Sequence, residues 1–272
     1  MIGVSLIAFN RPAYFKKLIK SLEKQTVEAE YHLFQDGAVN KFSHRLKARP
    51  ELLNEVQDIF DNSKIESKKK HCHQMNVGNA INQFEAVEFM SKHYDRFLVV
   101  EDDVILSKDY LRLVNILADQ YLKDDIFSVS LNFKRMCKRR EIDSNLDKVD
   151  YISLHWWAEM WSSEQWLKVR PYFLEYYELV KNVDYQQRPS DKIKKLFHSS
   201  GLMIPQTSQD AGKDYALYKA GMKRINSIVN RGFYIGESGM HFNPHLYQQM
   251  GYKYQKPFEF KSDEKLNAFI MR

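Results

Sequence analysis

The chain has 272 residues, 44% of them hydrophobic and 14% aromatic, enough for one sizeable core. Lysine and arginine exceed aspartate and glutamate by 41 to 35, a surplus of six that favours anionic partners without choosing among them. Two cysteines, Cys72 and Cys137, exclude a disulfide scaffold and fit a reducing compartment, and no run of about eighteen apolar residues suits a membrane span.

Met1 to Ala8 has no basic n-region and no small-residue cleavage pattern, and reads as a first strand rather than a signal peptide. Asn10 can cap a helix that starts near Pro12 and runs to about Lys24, with Tyr14, Phe15, Leu18, Ile19 and Leu22 on one face. A second strand, Tyr31 to Phe34, ends in Gln35-Asp36-Gly37, whose glycine lets the backbone approach a ligand closely. Leu46 to Phe60 reads as a helix interrupted by Pro50, and Ile65 to Cys72 as a poor strand carrying Lys68 to Lys70. Asn79 to His93 is an amphipathic helix feeding the apolar strand at Phe97.

That strand, Phe97 to Val100, stops abruptly at Glu101-Asp102-Asp103. Three carboxylates in a row repel one another and raise their own pKa values unless a metal ion, arginines or lysines compensate them. Beyond the cluster, Ser107 can cap a helix to about Tyr121, and Phe127 to Leu131 alternates like a strand. Residues 134 to 150 read as an exposed charged loop. The aromatic-rich second half carries His155-Trp156-Trp157, Glu159 and Trp161, where indoles serve a core as readily as a sugar platform. A helix with Asp210 as its N-cap and Asp214 in its first turns closes at Gly221, a strand follows at Ile225 to Val229, and Asn230 to His241 reads as a flexible loop.

Strands alternating with helices predict an α/β domain with a mostly parallel, Rossmann-like sheet, in which ligands bind beyond the carboxyl ends of the strands. One domain over 1–272 is expected, with an aromatic-rich second half.

The Val-Val-Glu-Asp-Asp cluster resembles the DXD-type motif of nucleotide-sugar glycosyltransferases of the GT-A fold. Its Glu-Asp-Asp form is similar to that of the N-acetylglucosaminyltransferase I family, and the later segments resemble bacterial surface-polysaccharide glycosyltransferases. Ala8-Phe-Asn-Arg11 and Gln35-Asp36-Gly37 extend the likeness upstream. The resemblance implies a GT-A-like α/β/α sandwich, with 1–132 as its nucleotide-sugar-binding half and 133–272 as its acceptor-binding half and C-terminal loop, that moves a hexose or N-acetylhexosamine from a nucleotide-diphosphate sugar to the hydroxyl of a glycan or lipid-linked acceptor. By the same resemblance Asn10, Arg11 and Asp36 serve the nucleotide, Asp102 the ribose or sugar, Asp103 the Mn²⁺ or Mg²⁺ ion, and Glu101 supports them. His241 would contact metal or diphosphate, and Arg231 would offset diphosphate charge. An inverting transfer also needs a general base, for which Asp214 is the expected residue, with Asp210 and Glu159 as rivals. Trp156, Trp157 and Glu159 would meet the acceptor.

Two other readings compete. A nucleotidyltransferase should carry a glycine-rich loop after the first strand, which Asn10-Arg-Pro-Ala13 does not supply. A non-catalytic carbohydrate-binding module explains the tryptophans but not acids at two strand ends. Nucleic acid is disfavoured because no recognised binding motif accompanies the charge, and His71-Cys-His73 lacks the second ligand pair of a zinc site. The bacterial likeness implies a cytoplasmic setting, with Lys68 to Lys70 and Lys134 to Arg140 as the candidate peripheral contact with acidic lipids.

Overall fold

The computed structural model describes residues 1–132, 139–153, 156–239, 243–255, 258–262 and 265. The first half runs β1 (Ile2–Ala8), α1 (Pro12–Leu22), β2 (Ala29–Gln35), α2 (Pro50–Asp61), β3 (Lys68–Cys72), α3 (Asn79–His93), β4 (Arg96–Glu101), β5 (Val104–Leu106), α4 (Tyr110–Tyr121) and β6 (Ile126–Ser130). The second half continues with α5 (Arg139–Ile142), β7 (Val149–Tyr151), β8 (Ala158–Ser162), α6 (Ser163–Val180), α7 (Ser190–Ser199), α8 (Gln209–Ala220), β9 (Lys223–Ser227), β10 (Gly232–Tyr234) and α9 (Pro244–Gln249).

Eight strands form one sheet in the order β3-β2-β1-β4-β8-β6-β9-β7, and β10 pairs with β5 in a separate ribbon. Strands β3, β2, β1 and β4 are parallel neighbours, and β8 is antiparallel to both β4 and β6. The sheet is therefore mixed at the centre of its second half, where the sequence shows only a cluster of tryptophans. All five residues of β8 are buried, so it lacks the alternation that marks a half-exposed strand.

Two apolar cores lie on opposite faces of the sheet. One joins α1, α2 and α4 through Phe15, Leu18, Phe60, Leu111 and Val114, and the other joins α3, α6, α7 and α8 through Phe84, Trp166, Phe173, Phe197 and Tyr215. The first helix follows from its sequence: Pro12 stands at its start, where a missing N–H costs nothing, and Phe15, Leu18, Ile19 and Leu22 are buried at helical spacing. Pro50 likewise opens α2 rather than interrupting it.

Several local expectations change. Arg11, not Asn10, occupies the N-cap position of α1, and Asp109 rather than Ser107 precedes α4. Ser208 caps α8 by accepting from the Ala211 amide, which leaves Asp210 inside the first turn. The segment expected as a loop over 134–150 contributes β7 to the sheet edge, antiparallel to β9, while 133–138 lies outside the described residues. Among the described residues no helix is long and apolar enough to cross a membrane.

Candidate active site

Strand β1 has β2 on one side and β4 on the other, and the register sets Ala8 beside Gln35 and Ile7 beside Glu101. Their carboxyl ends therefore open together at a point where the chain winds outward in both directions, the place where open α/β sheets hold ligands. A cleft of about 480 Å³ lies there. Its floor is Asn10, Arg11, Asp36, Glu101, Asp102 and Asp103, its far wall is Asp184, Gln186, Ser208 and Asp210, and Trp157 and Tyr234 flank it.

Arg11 answers the charge problem posed by the acidic cluster. Its Nη1 donates to Asp103 Oδ2 at 2.6 Å, while Nε and Nη2 donate to the two oxygens of Asp102. Both aspartates are buried, whereas the guanidinium is about one-third exposed to the cleft. Burial works against the charge on Arg11, but Asp102 and then Asp103 outweigh it, so the guanidinium is held more firmly protonated than usual. Burial also pushes Asp103 up to about 6, against the pull of Arg11. Glu101 is raised well above the ordinary carboxylate range by burial, then by Asp210 and Asp103, and accepts a hydrogen bond from Gln83 at 3.1 Å.

Asp36 sits at the end of β2 as the sequence implies, and the structure shows what consumes its oxygens. They accept from the amides of Gly37, Val77 and Gly78 at 2.7–2.9 Å and from the Asn76 side chain at 2.6 Å. Burial raises its pKa, opposed by these backbone bonds. Gly37 is required because a Cβ there would meet the Asn76 nitrogen at 2.7 Å. The close approach expected for a ligand is thus made by the 75–76 backbone, and Asp36 shapes the nucleotide-side wall by holding that loop.

On the opposite wall the structure separates the two acids of α8. Asp210 lines the cleft, with Lys213 Nζ 2.8 Å from its Oδ1 and Lys213 bridging on to Gln83 at 3.2 Å. Asp214, the residue expected as base, is not among the residues lining the cleft; it accepts from Trp156 Nε1 at 3.0 Å and is raised to about 6, chiefly by burial. The two are four residues apart on one face of α8, and the rise of about 6 Å between them carries Asp214 beyond the cleft lining.

Neighbouring tryptophans part in the same way, because successive residues of an extended segment face opposite sides. Trp157 joins the cleft, stacked on Tyr234 with centroids 4.6 Å apart. Trp156, expected at the acceptor, packs into the other core beneath Arg224, whose guanidinium lies 3.6 Å from its ring centroid. Glu159, expected there too, also lies away from the cleft lining. It is enclosed in the sheet, where Arg224 donates to both of its oxygens, Nε at 3.1 Å, and Ser128 adds a third bond. Arg231, expected to offset diphosphate charge, is buried and donates to Ser227 at 3.0 Å and to the carbonyls of Val229 and Leu146 at 2.9 and 3.2 Å.

Of the other expected positions, His241 lies outside the described residues, as do Lys134 to Lys138. In the Lys68 to Lys70 run, Lys68 donates to the last carbonyls of α2, while Lys69 and Lys70 are exposed and form surface pairs with Glu30 and Asp61. Sequence reasoning missed Lys47, which reaches across the cleft to Asp184 and Gln186 at 2.7 Å each. It also missed Gln83, which looked like one more polar position on α3.

No protein-family model matches the sequence, and no curated protein matches it either. Solved structures do. Staphylococcus aureus TarS 1-349 in complex with UDP-GlcNAc superposes with a TM-score of 0.52 at 12% identity, covering 88% of this chain and 60% of that one. TarS 1-349 alone gives 0.50 at 12% identity, with 87% and 60% covered. The fold is GT-A-like. This chain spans 60% of the length of both TarS structures, and within that span the GT-A-like mixed sheet presents the cleft described above.

Proposed function

We propose that the chain is a glycosyltransferase that moves a sugar from a nucleotide-diphosphate donor to an acceptor hydroxyl. The observation that carries this reading is the convergence, in one cleft of a GT-A-like sheet, of paired aspartates at the end of β4 with Asp210 on the facing wall. The complex of TarS with UDP-GlcNAc makes that nucleotide sugar the first donor to test.

The GT-A class suggests a divalent ion, and the residues fit one in a specific way. Asp103 Oδ1 is buried with no hydrogen-bond partner, a hard oxygen donor not spent within the fold. Among the described residues no three His, Cys, Asp or Glu side chains converge on a metal position. Mg²⁺ and Mn²⁺ take one or two carboxylates and share the rest of their shell with substrate phosphates and water. Asp103 would hold it with Asp102 beside it, and when bound the ion offsets charge on the departing diphosphate.

The protein's own groups then divide the work. The loop organised by Asp36 and Asn76 walls the nucleotide side, and Trp157 offers an apolar face on the reacting side. Asp210 takes the proton of the acceptor hydroxyl as its oxygen attacks the anomeric carbon. The carbon–oxygen bond to the diphosphate breaks, and its electron pair leaves with the diphosphate. A single displacement of this kind inverts the anomeric centre. Asp210 is favoured over Asp214 because it stands in the cleft; both acids have partners, Lys213 and Gln209 for Asp210 and Trp156 for Asp214.

The test is release of nucleoside diphosphate from a panel of nucleotide sugars, with Mn²⁺ and with chelator. Asp103→Asn should abolish turnover, and Asp210→Asn should lower kcat by about 10²–10⁴ while donor binding persists. Absence of both turnover and nucleotide binding across the panel would remove the assignment.

A further inference from the structure

Arg11 occupies the two carboxylates that a divalent ion would use. Its three nitrogens engage Asp102 and Asp103 together, and these acids are otherwise buried. The surrounding loop leaves little room for a third party. The Ile235 amide donates to the Asp103 carbonyl at 2.8 Å, and a Cβ on Gly236 would overlap both Asp103 Oδ2 and the Tyr234 hydroxyl. A Cβ on Gly239 would lie 3.7 Å from Arg11 Nη1. The guanidinium is therefore enclosed from above while its exposed edge faces the cleft.

Resting on the transferase reading, we propose that Arg11 is a resident counter-cation that excludes free divalent metal, and that the nucleoside diphosphate releases this block by drawing the guanidinium onto its phosphates. The physical basis is an exchange of partners. A guanidinium pairs with phosphate oxygens as well as with carboxylates, through the same planar fork of donors. Once it turns to the diphosphate, Asp102 and Asp103 are left as adjacent buried carboxylates that repel one another, which favours uptake of a replacing cation. Metal and nucleotide consequently bind jointly: each creates the vacancy or the charge that the other needs, and by linkage each tightens the other equally. The unpartnered Asp103 Oδ1 is the ligand already in place for the exchange.

Among the described residues that line the cleft, only Arg11 offers this. Lys47, the other cation lining the cleft among the described residues, is committed to Asp184 at the far wall.

The experiment follows Mn²⁺ uptake by the full chain through loss of the free-ion paramagnetic resonance signal, with and without UDP. Wild-type protein should take up Mn²⁺ weakly alone and at least about tenfold more tightly with UDP. Arg11→Met should bind Mn²⁺ alone at least about tenfold more tightly than wild type, and UDP should then add less than it does in wild type. Arg11→Lys keeps one charge but cannot span both carboxylates, so its affinity for Mn²⁺ alone should fall between the two; it also serves if the methionine variant fails to fold. Metal affinity unchanged in both variants, while wild type still gains affinity from UDP, overturns the exchange and leaves the transferase reading standing. No Mn²⁺ uptake by any form, with UDP present, removes the metal from that reading and this proposal with it.

Discussion

Replacing Glu159 by alanine tests whether this residue holds the sheet or meets an acceptor. The carboxylate and the Arg224 guanidinium are both about 98% buried or more, and the pair is joined through both carboxylate oxygens. Removing Glu159 takes from the buried guanidinium the carboxylate that engages it directly, with Asp214 3.9 Å from its Nη1, a loss of about 3–5 kcal/mol. For a chain of this size each kcal/mol lowers Tm by roughly 2–4 °C, so the variant should melt about 10 °C earlier. Arg224 also stacks on Trp156, whose indole holds Asp214, so the loosened guanidinium should disturb that side of α8 as well. Urea unfolding followed by circular dichroism gives the free energy directly. The double variant Glu159→Leu, Arg224→Met should recover most of the loss, because a packed apolar pair often equals a buried ion pair. A Glu159→Ala protein within about 1 kcal/mol of wild type, with weakened acceptor binding, would refute the structural role.

Asp214→Asn should keep kcat within about tenfold of wild type, whereas Asp210→Asn should not; the opposite order in a steady-state assay would return the base to Asp214. Asp36→Ala leaves the buried amides of Val77 and Gly78 without their acceptor, at about 1–3 kcal/mol each, and hydrogen exchange should accelerate over residues 76–78. His32, buried between His71 and Tyr94, is lowered from 6.5 to about 4 by burial first and then by His71. The unfolded chain therefore binds this proton before the native one does: the contribution is present above pH 6.5 and is lost as pH falls towards about 4, in total about 3 kcal/mol. His32→Gln should flatten that part of the stability–pH curve, with His71, shifted the same way, keeping a residual slope; an unchanged slope would contradict the assignment.

The amino-terminal half was largely legible because its signals are local. An apolar strand followed by a proline-started, i, i+3, i+4 helix needs no distant partner to declare itself, and β1, α1 and α3 fall where their periodicity places them. The acids at the ends of β2 and β4 were equally plain, and so was the need for a cation beside Glu101, Asp102 and Asp103. The second half was harder for a definite reason. A strand buried on both faces carries no alternation, so β8 was hidden in its tryptophans, and Glu159 looked like an available carboxylate until Arg224, 65 positions away, closed on it.

By itself, then, the sequence determined an α/β chain with acids poised at strand ends, since strand, helix and turn chemistry are written in residues a few positions apart. Tertiary structure alone decided which charges meet. Arg11 finds Asp102 and Asp103 across 91 and 92 positions, Asp210 reaches the cleft while Asp214 turns to Trp156, and Asp36 spends its oxygens chiefly on the 76–78 segment, 40 to 42 positions away. Charge neutralisation and burial act through space, and spatial neighbours separated so far along the chain leave no local pattern to read.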